Sequence, residues 1–274
     1  MPVNESETAI YGKKVFFLNP SYTLEQYIIE RLRTMEYEVY VLTDYKITKN
    51  VFLKNPDSIC FINPDAQLTY TGWANFVKSF ARNPGLASVK FGAISEKMKA
   101  NAIDSFKSSL PLEAGFNMHA DGEDEETFRF IVKAMDQLKV KGLRQYLRAS
   151  CKDDKSAEFF WTENTIMHKL KLIDISAVGV AALLPGKNYN ILAGKQEISH
   201  AVLVLAGKQY SVDVDVKMLK PDGVNFTAVF MFRMNIDKKV LSHIRNYISV
   251  SLNKKLFASI EGLPVDRHDY NNEQ

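Results

Sequence analysis

Near Gly142 the hydrophobic pattern of this chain changes period, and this limits the available folds more than any other feature. Before that point, apolar stripes recur at helical spacing between short apolar runs. After it, apolar and polar residues alternate in twos. A polypeptide with both signatures in succession reads as two domains of different class. Length agrees, because 274 residues exceed one ordinary domain.

In the first part, Val15–Leu18, Glu38–Leu42, Ser58–Ile62, Leu86–Ala93 and Ala114–Met118 read as strands. Asn-Pro pairs end the first and the third. Leu24, Tyr27, Ile28, Leu32 and Met35 form one helical stripe, and Trp73, Phe76, Val77 and Phe80 a second. Phe128, Ile131, Met135 and Leu138 form a third, with acids ahead of it and Lys139 and Lys141 behind, as the helix dipole favours. Strand and helix alternating over about 120 residues predict a parallel sheet with helices on both faces. This layout is similar to the receiver domain of bacterial two-component systems, a flavodoxin-like fold with its ligand crevice at the carboxyl ends of the strands.

A working receiver would place paired acids after the first strand, an aspartate ending the third, a hydroxyl after the fourth and a lysine after the fifth. This chain offers Asn19-Pro20, then Ile62-Asn63-Pro64, then Ser95, then Asn117-Met118-His119 without Lys-Pro. Asp65 is near, but beyond a proline that cannot continue a central strand. No carboxylate pair is left to hold a hard divalent cation. The expectation is an unphosphorylated pseudo-receiver used for packing or partner binding, with an unrelated α/β domain of the same layout as the rival.

In the second part, Glu158–Thr162, Met167–Asp174, Gly179–Leu184, Ile198–Leu205, Lys208–Met218 and Asn225–Arg233 read as strands. Pro185-Gly186, Ala206-Gly207-Lys208 and Pro221-Asp222-Gly223 supply turns. Successive short antiparallel strands predict a small all-β barrel, where closure removes exposed edges. Leu241, Ile244, Ile248 and Leu252 mark an amphipathic helix to cover it, and the polar stretch after Gly262 is expected to fray.

Two motifs lie at the mouth of this second part. Arg144-Gln145-Tyr146-Leu147-Arg148 is an RxxxR pair, and 26 residues after Arg148 begins Asp174-Ile175-Ser176-Ala177-Val178-Gly179, a DxSxxG element. Either alone means little: the first reads as a surface i,i+4 pair, the second as a turn between strands. In this order, ahead of a barrel closed by a helix, they resemble the signature of the PilZ family over about residues 141–255. That resemblance implies a receptor for cyclic di-GMP.

The residue types suit such a ligand. An arginine fork meets guanine N7 and O6 bidentately and stacks on a purine face. Arg144 and Arg148 would wrap the ligand from a flexible segment, and Asp174 would accept from the guanine N1–H and N2–H₂ edge. Ser176 would donate to phosphate or ligand. Gly179 would either permit close backbone approach or a conformation that a Cβ forbids. Many family members carry a further arginine immediately before RxxxR, where this chain has Leu143. Leucine cannot stack on the outer guanines of a ligand dimer, so one cyclic di-GMP per protomer is expected.

The expected organisation is therefore a receiver-like α/β domain over 1–138, a linker carrying RxxxR over 139–148, a PilZ barrel plus helix over 149–262, and a tail over 263–274. Residues 141–274 hold 19 Lys/Arg against 14 Asp/Glu, a net of +5 that suits an anionic ligand but not a dedicated DNA or RNA binder. Cys60 and Cys151 lie in or beside apolar stretches, which reads as a reduced, cytoplasmic protein. The five histidines show no metal-ligand spacing and neither cysteine lies in CxxC, so neither metal nor cofactor is expected. No apolar run reaches the ~20 residues of a membrane span. The reading is a receptor rather than an enzyme, signalling to an unidentified protein partner through the first domain. The alternative is an interaction scaffold whose barrel binds no nucleotide.

Overall fold

The structure, a computed structural model, describes residues 5–272. By contact the chain divides into two units. One runs through Gln145 and takes in the chain again from Leu256, and the other is Tyr146–Lys255.

The first unit holds α1 (Glu5–Tyr11), β1 (Val15–Leu18), α2 (Glu30–Thr34), β2 (Val39–Leu42), α3 (Thr48–Lys54) and β3 (Ile59–Ile62). It continues with α4 (Tyr70–Ala81), β4 (Lys90–Ser95), α5 (Ala100–Ser109), β5 (Gly115–Met118) and α6 (Asp124–Gln137). The five strands pair in parallel in the order β2-β1-β3-β4-β5, as in a flavodoxin-like sheet. Every residue of β1 and β3 is buried, which explains why both are continuous apolar runs instead of alternating ones.

Two details depart from the sequence pattern. Residues Leu24–Ile29 wind as a π-helix that runs into α2. The wider turn turns Leu24, Ile28, Ile29 and Leu32 inward and leaves Tyr27 and Met35, expected on the buried stripe, exposed. The fourth strand begins at Lys90, not Leu86, because residues 82–89 form turns that bury Leu86 and Val89 without pairing them.

The stretch after Gly262, expected to fray, is docked on this first unit. Tyr270 is fully buried and meets the rings of Tyr45 and Phe76 edge-on. Asp266 accepts from the Tyr270 hydroxyl at 2.6 Å and pairs with Lys49 at 3.1 Å. The Asn271 side-chain oxygen accepts from both the amide and the hydroxyl of Thr69 at 2.9 Å. One buried aromatic and two polar clamps order a segment whose hydrophobic content alone would not.

The second unit holds β6 (Arg148–Ser150), β7 (Glu158–Glu163), β8 (Ile166–Ser176), β9 (Gly179–Pro185), β10 (Glu197–Leu205), β11 (Lys208–Asp222), β12 (Asn225–Phe232) and most of α7 (Lys238–Ala258). The antiparallel order β8-β7-β10-β11-β12-β9 returns to β8 through a β8–β9 pairing, so six strands close a barrel and β6 adds to β8. Phe159, Trp161, Leu170, Leu172, Leu203, Val212, Val214 and Phe230 fill its core, and Ile244 and Ile248 of α7 complete it. The two-domain layout, parallel α/β followed by an antiparallel barrel with a helix, is the one the sequence predicts.

Candidate functional site

The site is built on β8, where a bulge changes which residues point inward. Leu170 and Leu172 face the core, so strict alternation would turn Asp174 inward too. The β8–β9 register shifts between Leu172 and Asp174, and beyond that shift it is Ile175 that is fully buried. One extra residue therefore exchanges the faces of the strand. Asp174 points outward, where an ionised carboxylate can be solvated or meet a ligand. The bulge also lies where the neighbour of β8 changes from β7 to β6: Glu158 pairs with Lys171, and Ser150 with Asp174.

β6, which the sequence did not reveal as a strand, brings the two motifs together. Arg148 pairs in register with Ser176 and Ser150 with Asp174, while Ala149 between them is buried. Arg148 and Asp174 are thus diagonal neighbours on one outward face. The guanidinium lies 3.9 Å from the carboxylate, beyond hydrogen-bond distance, and the two side chains remain 48% and 32% exposed. This is a loose, solvated ion pair, with most of its donor and acceptor capacity unspent.

Ser176 and Gly179 shape the turn that follows. The buried Ser176 hydroxyl accepts from the Val178 amide at 3.4 Å and donates to the Gly179 carbonyl at 3.2 Å. A hydroxyl has one proton, so here it is committed to the turn. A Cβ on Gly179 would collide with the Phe230 carbonyl across the β9–β12 seam. Close backbone approach, and not a left-handed φ, is what requires glycine there.

Arg144 and Leu143 belong to the first unit, and their segment is held by α1. The amides of Leu143 and Arg144 donate to the carbonyls of Ala9 and Ile10 at 3.0 and 2.9 Å. The Arg144 guanidinium lies over the Tyr11 ring, 4.5 Å from its centroid. Leu143 is 83% exposed. Arg148 opens a strand of the second unit, and Arg144 packs on an aromatic ring within the first.

The strand ends of the α/β unit form a second candidate site. Ser95, the last residue of β4, donates its hydroxyl to Asp65 at 2.7 Å. The other Asp65 oxygen accepts from the amides of Glu96 and Lys97 at 2.7 and 3.0 Å. Tyr70 approaches the first oxygen at 3.4 Å. Asp65 and Ser95, the residues that the receiver-like layout set nearest its acid and hydroxyl positions, are 30 residues apart in the chain and meet here. Asn63 is likewise engaged, donating to the Asn19 carbonyl at 3.0 Å and accepting from the Asp65 amide at 3.0 Å. Among the described residues, no group of three or more His, Cys, Asp or Glu is placed to hold a metal ion.

The thiols are not poised for chemistry. Burial pushes Cys151 up to about 12, and burial likewise raises Cys60. No helix among the described residues is long and apolar enough to cross a membrane.

No family model matches the chain, and no curated protein matches it. Among solved structures it is similar to the MrkH–c-di-GMP complex of K. pneumonia, at 18% identity and a TM-score of 0.36 over 43% of this chain. It is also similar to the PilZ domain with c-di-GMP of YcgR from Escherichia coli, at 15% identity and a TM-score of 0.35 over 43% of this chain and 98% of that one. A third is the Bacillus subtilis inhibitor of motility MotI/DgrA, at 17% identity and a TM-score of 0.33 over 43% of this chain. The chain covers 55% of the MrkH chain and 54% of the MotI chain, about half of each.

Proposed function

We propose that this protein is a cyclic di-GMP receptor and not an enzyme. The observation that carries the reading is the pairing of Arg148 with Asp174 on the outward face of β6 and β8, each with unspent hydrogen-bonding capacity. A guanidinium fork and a carboxylate on one face can together meet the acceptor and donor edges of a guanine. Arg144 supplies a second guanidinium, and Ser176 and Gly179 hold the turn behind Asp174. With Leu143 where a further arginine would stand, one ligand binds per protomer. Binding draws Arg144 and Arg148 onto a single nucleotide and changes the arrangement of the α/β unit and the barrel. A partner protein reads that change through the α/β unit.

The test is calorimetric titration of cyclic di-GMP into wild type, Arg144→Ala and Arg148→Ala. Saturable binding near one ligand per protomer, lost or much weakened in both variants, is expected. No binding by folded wild type would replace this reading with an interaction scaffold, and a ratio near two would remove the role given to Leu143.

A further inference from the structure

The last carbonyls of a helix have no donors of their own, and those of α1 are met by the linker. Leu143 and Arg144 supply amides to Ala9 and Ile10. Gly12 and Gly142 cross so closely that a Cβ on either would strike the other's backbone. Gly12, at φ +83°, also needs glycine's freedom in the left-handed region. This double attachment fixes where the Arg144 side chain starts, and Tyr11 fixes where it ends, with its ring against the guanidinium. Tyr11 is 49% exposed, so the guanidinium lies against a ring that is half open to solvent.

We propose that Tyr11 is a positioning residue of the nucleotide site, an inference that rests on the reading that Arg144 binds cyclic di-GMP. A guanidinium is a plane with two faces and an N–H edge. The ring takes one face, which leaves the other face and the edge to a guanine. A free arginine loses much rotamer freedom on binding, and a side chain already laid flat on a ring has lost part of it beforehand. Tyr11 therefore raises affinity without touching the ligand, and its hydroxyl plays no part.

The experiment is titration of cyclic di-GMP into the full chain as wild type, Tyr11→Phe, Tyr11→Leu and Arg148→Ala, with thermal unfolding of each. Tyr11→Phe keeps the ring and should bind within about twofold of wild type. Tyr11→Leu keeps apolar bulk without a π face and should bind about three- to fivefold more weakly at an unchanged unfolding temperature, the scale of an exposed cation–π contact. Unchanged or tighter binding by Tyr11→Leu overturns the proposal, since a ring that merely sequesters Arg144 would give the tighter result. An equal loss in Tyr11→Phe also overturns it. Failure of the underlying reading looks different, because wild type then shows no binding or binding insensitive to Arg148→Ala.

Discussion

Asp65 and Asp174 both stand beside strand ends, and they differ in how many donors meet them. Asp65 receives one hydroxyl and two backbone amides at 2.7–3.0 Å, with a tyrosine hydroxyl further out. Asp174 faces Arg148 at 3.9 Å, and among the described residues no donor is hydrogen-bonded to its carboxylate. A carboxylate whose lone pairs are taken organises its own loop and has little left for a ligand. One left half-satisfied and solvated keeps that capacity for something that arrives later. The receiver-like unit has thus closed its strand-end acid inward, while the barrel holds its acid outward.

The sharpest way to break the contrast is to remove each carboxylate and watch different readouts. Trp73 lies in one unit and Trp161 in the other, so single-tryptophan variants report each unit separately. Asp65→Ala should cost the α/β unit about 2–3 kcal/mol in denaturant unfolding followed by Trp73, because it strands a hydroxyl and two amides. Cyclic di-GMP affinity should not change. Asp174→Ala should do the reverse. Affinity falls about thirtyfold, corresponding to loss of about 2 kcal/mol of charge-assisted bonding. Barrel unfolding followed by Trp161 moves by less than about 0.5 kcal/mol, as for an exposed ion pair. An affinity loss in Asp65→Ala, or a large stability loss in Asp174→Ala, would collapse the distinction.

Ser176→Ala tests the same contrast on a smaller scale. The hydroxyl bridges Val178 and Gly179 within the turn, so its loss should cost the barrel about 1 kcal/mol. The affinity loss should be smaller than for Asp174→Ala. A larger affinity loss, with unfolding unchanged, would make Ser176 a direct ligand donor instead.

How much of this was legible in the sequence follows from the range over which each cause acts. The buried runs of β1 and β3, the alternation in β10 and β11 and the stripe of Ile244 and Ile248 are local patterns, and each element stands where its pattern placed it, except that β11 runs past Met218 to Asp222. The bulge at β8 had a signal that went unused. Leu170 and Leu172 keep one parity and Ile175 the other, and the switch falls on Ile173, the residue left without a partner on β9. β6 is three residues long and owes its pairing to β8, so nothing within Arg148–Ser150 announces a strand. The Asp65–Ser95 bond and the docking of Tyr270 join residues far apart in the chain, and periodicity does not register such contacts. For the proposed site, the motif offered Arg144, Arg148 and Asp174 as candidates. It did not say that α1 and Tyr11 hold Arg144.

A third aspartate carries the comparison inside the barrel. Asp154 accepts from the amide and hydroxyl of Ser156 at 2.9 and 2.6 Å, the Ala206 amide at 3.1 Å and the Tyr247 hydroxyl of α7 at 3.0 Å. Burial by itself would raise this carboxyl, but those hydrogen bonds outweigh it and hold Asp154 below the ordinary aspartate range. A depressed value in the folded state gives stability that is fully present above the unfolded value and is lost as pH falls through the folded one. Barrel unfolding followed by Trp161 should therefore be flat above about pH 5 and weaken below about pH 4. Asp154 is partly open to solvent, so the loss should stay under about 1 kcal/mol. Asp154→Asn should lower the neutral-pH plateau and reduce this acid limb. If Asp174→Ala lowered the neutral-pH plateau and Asp154→Asn did not, Asp174 would be the satisfied, structural carboxylate of the barrel, and the assignment of Asp174 to a ligand would fall with it.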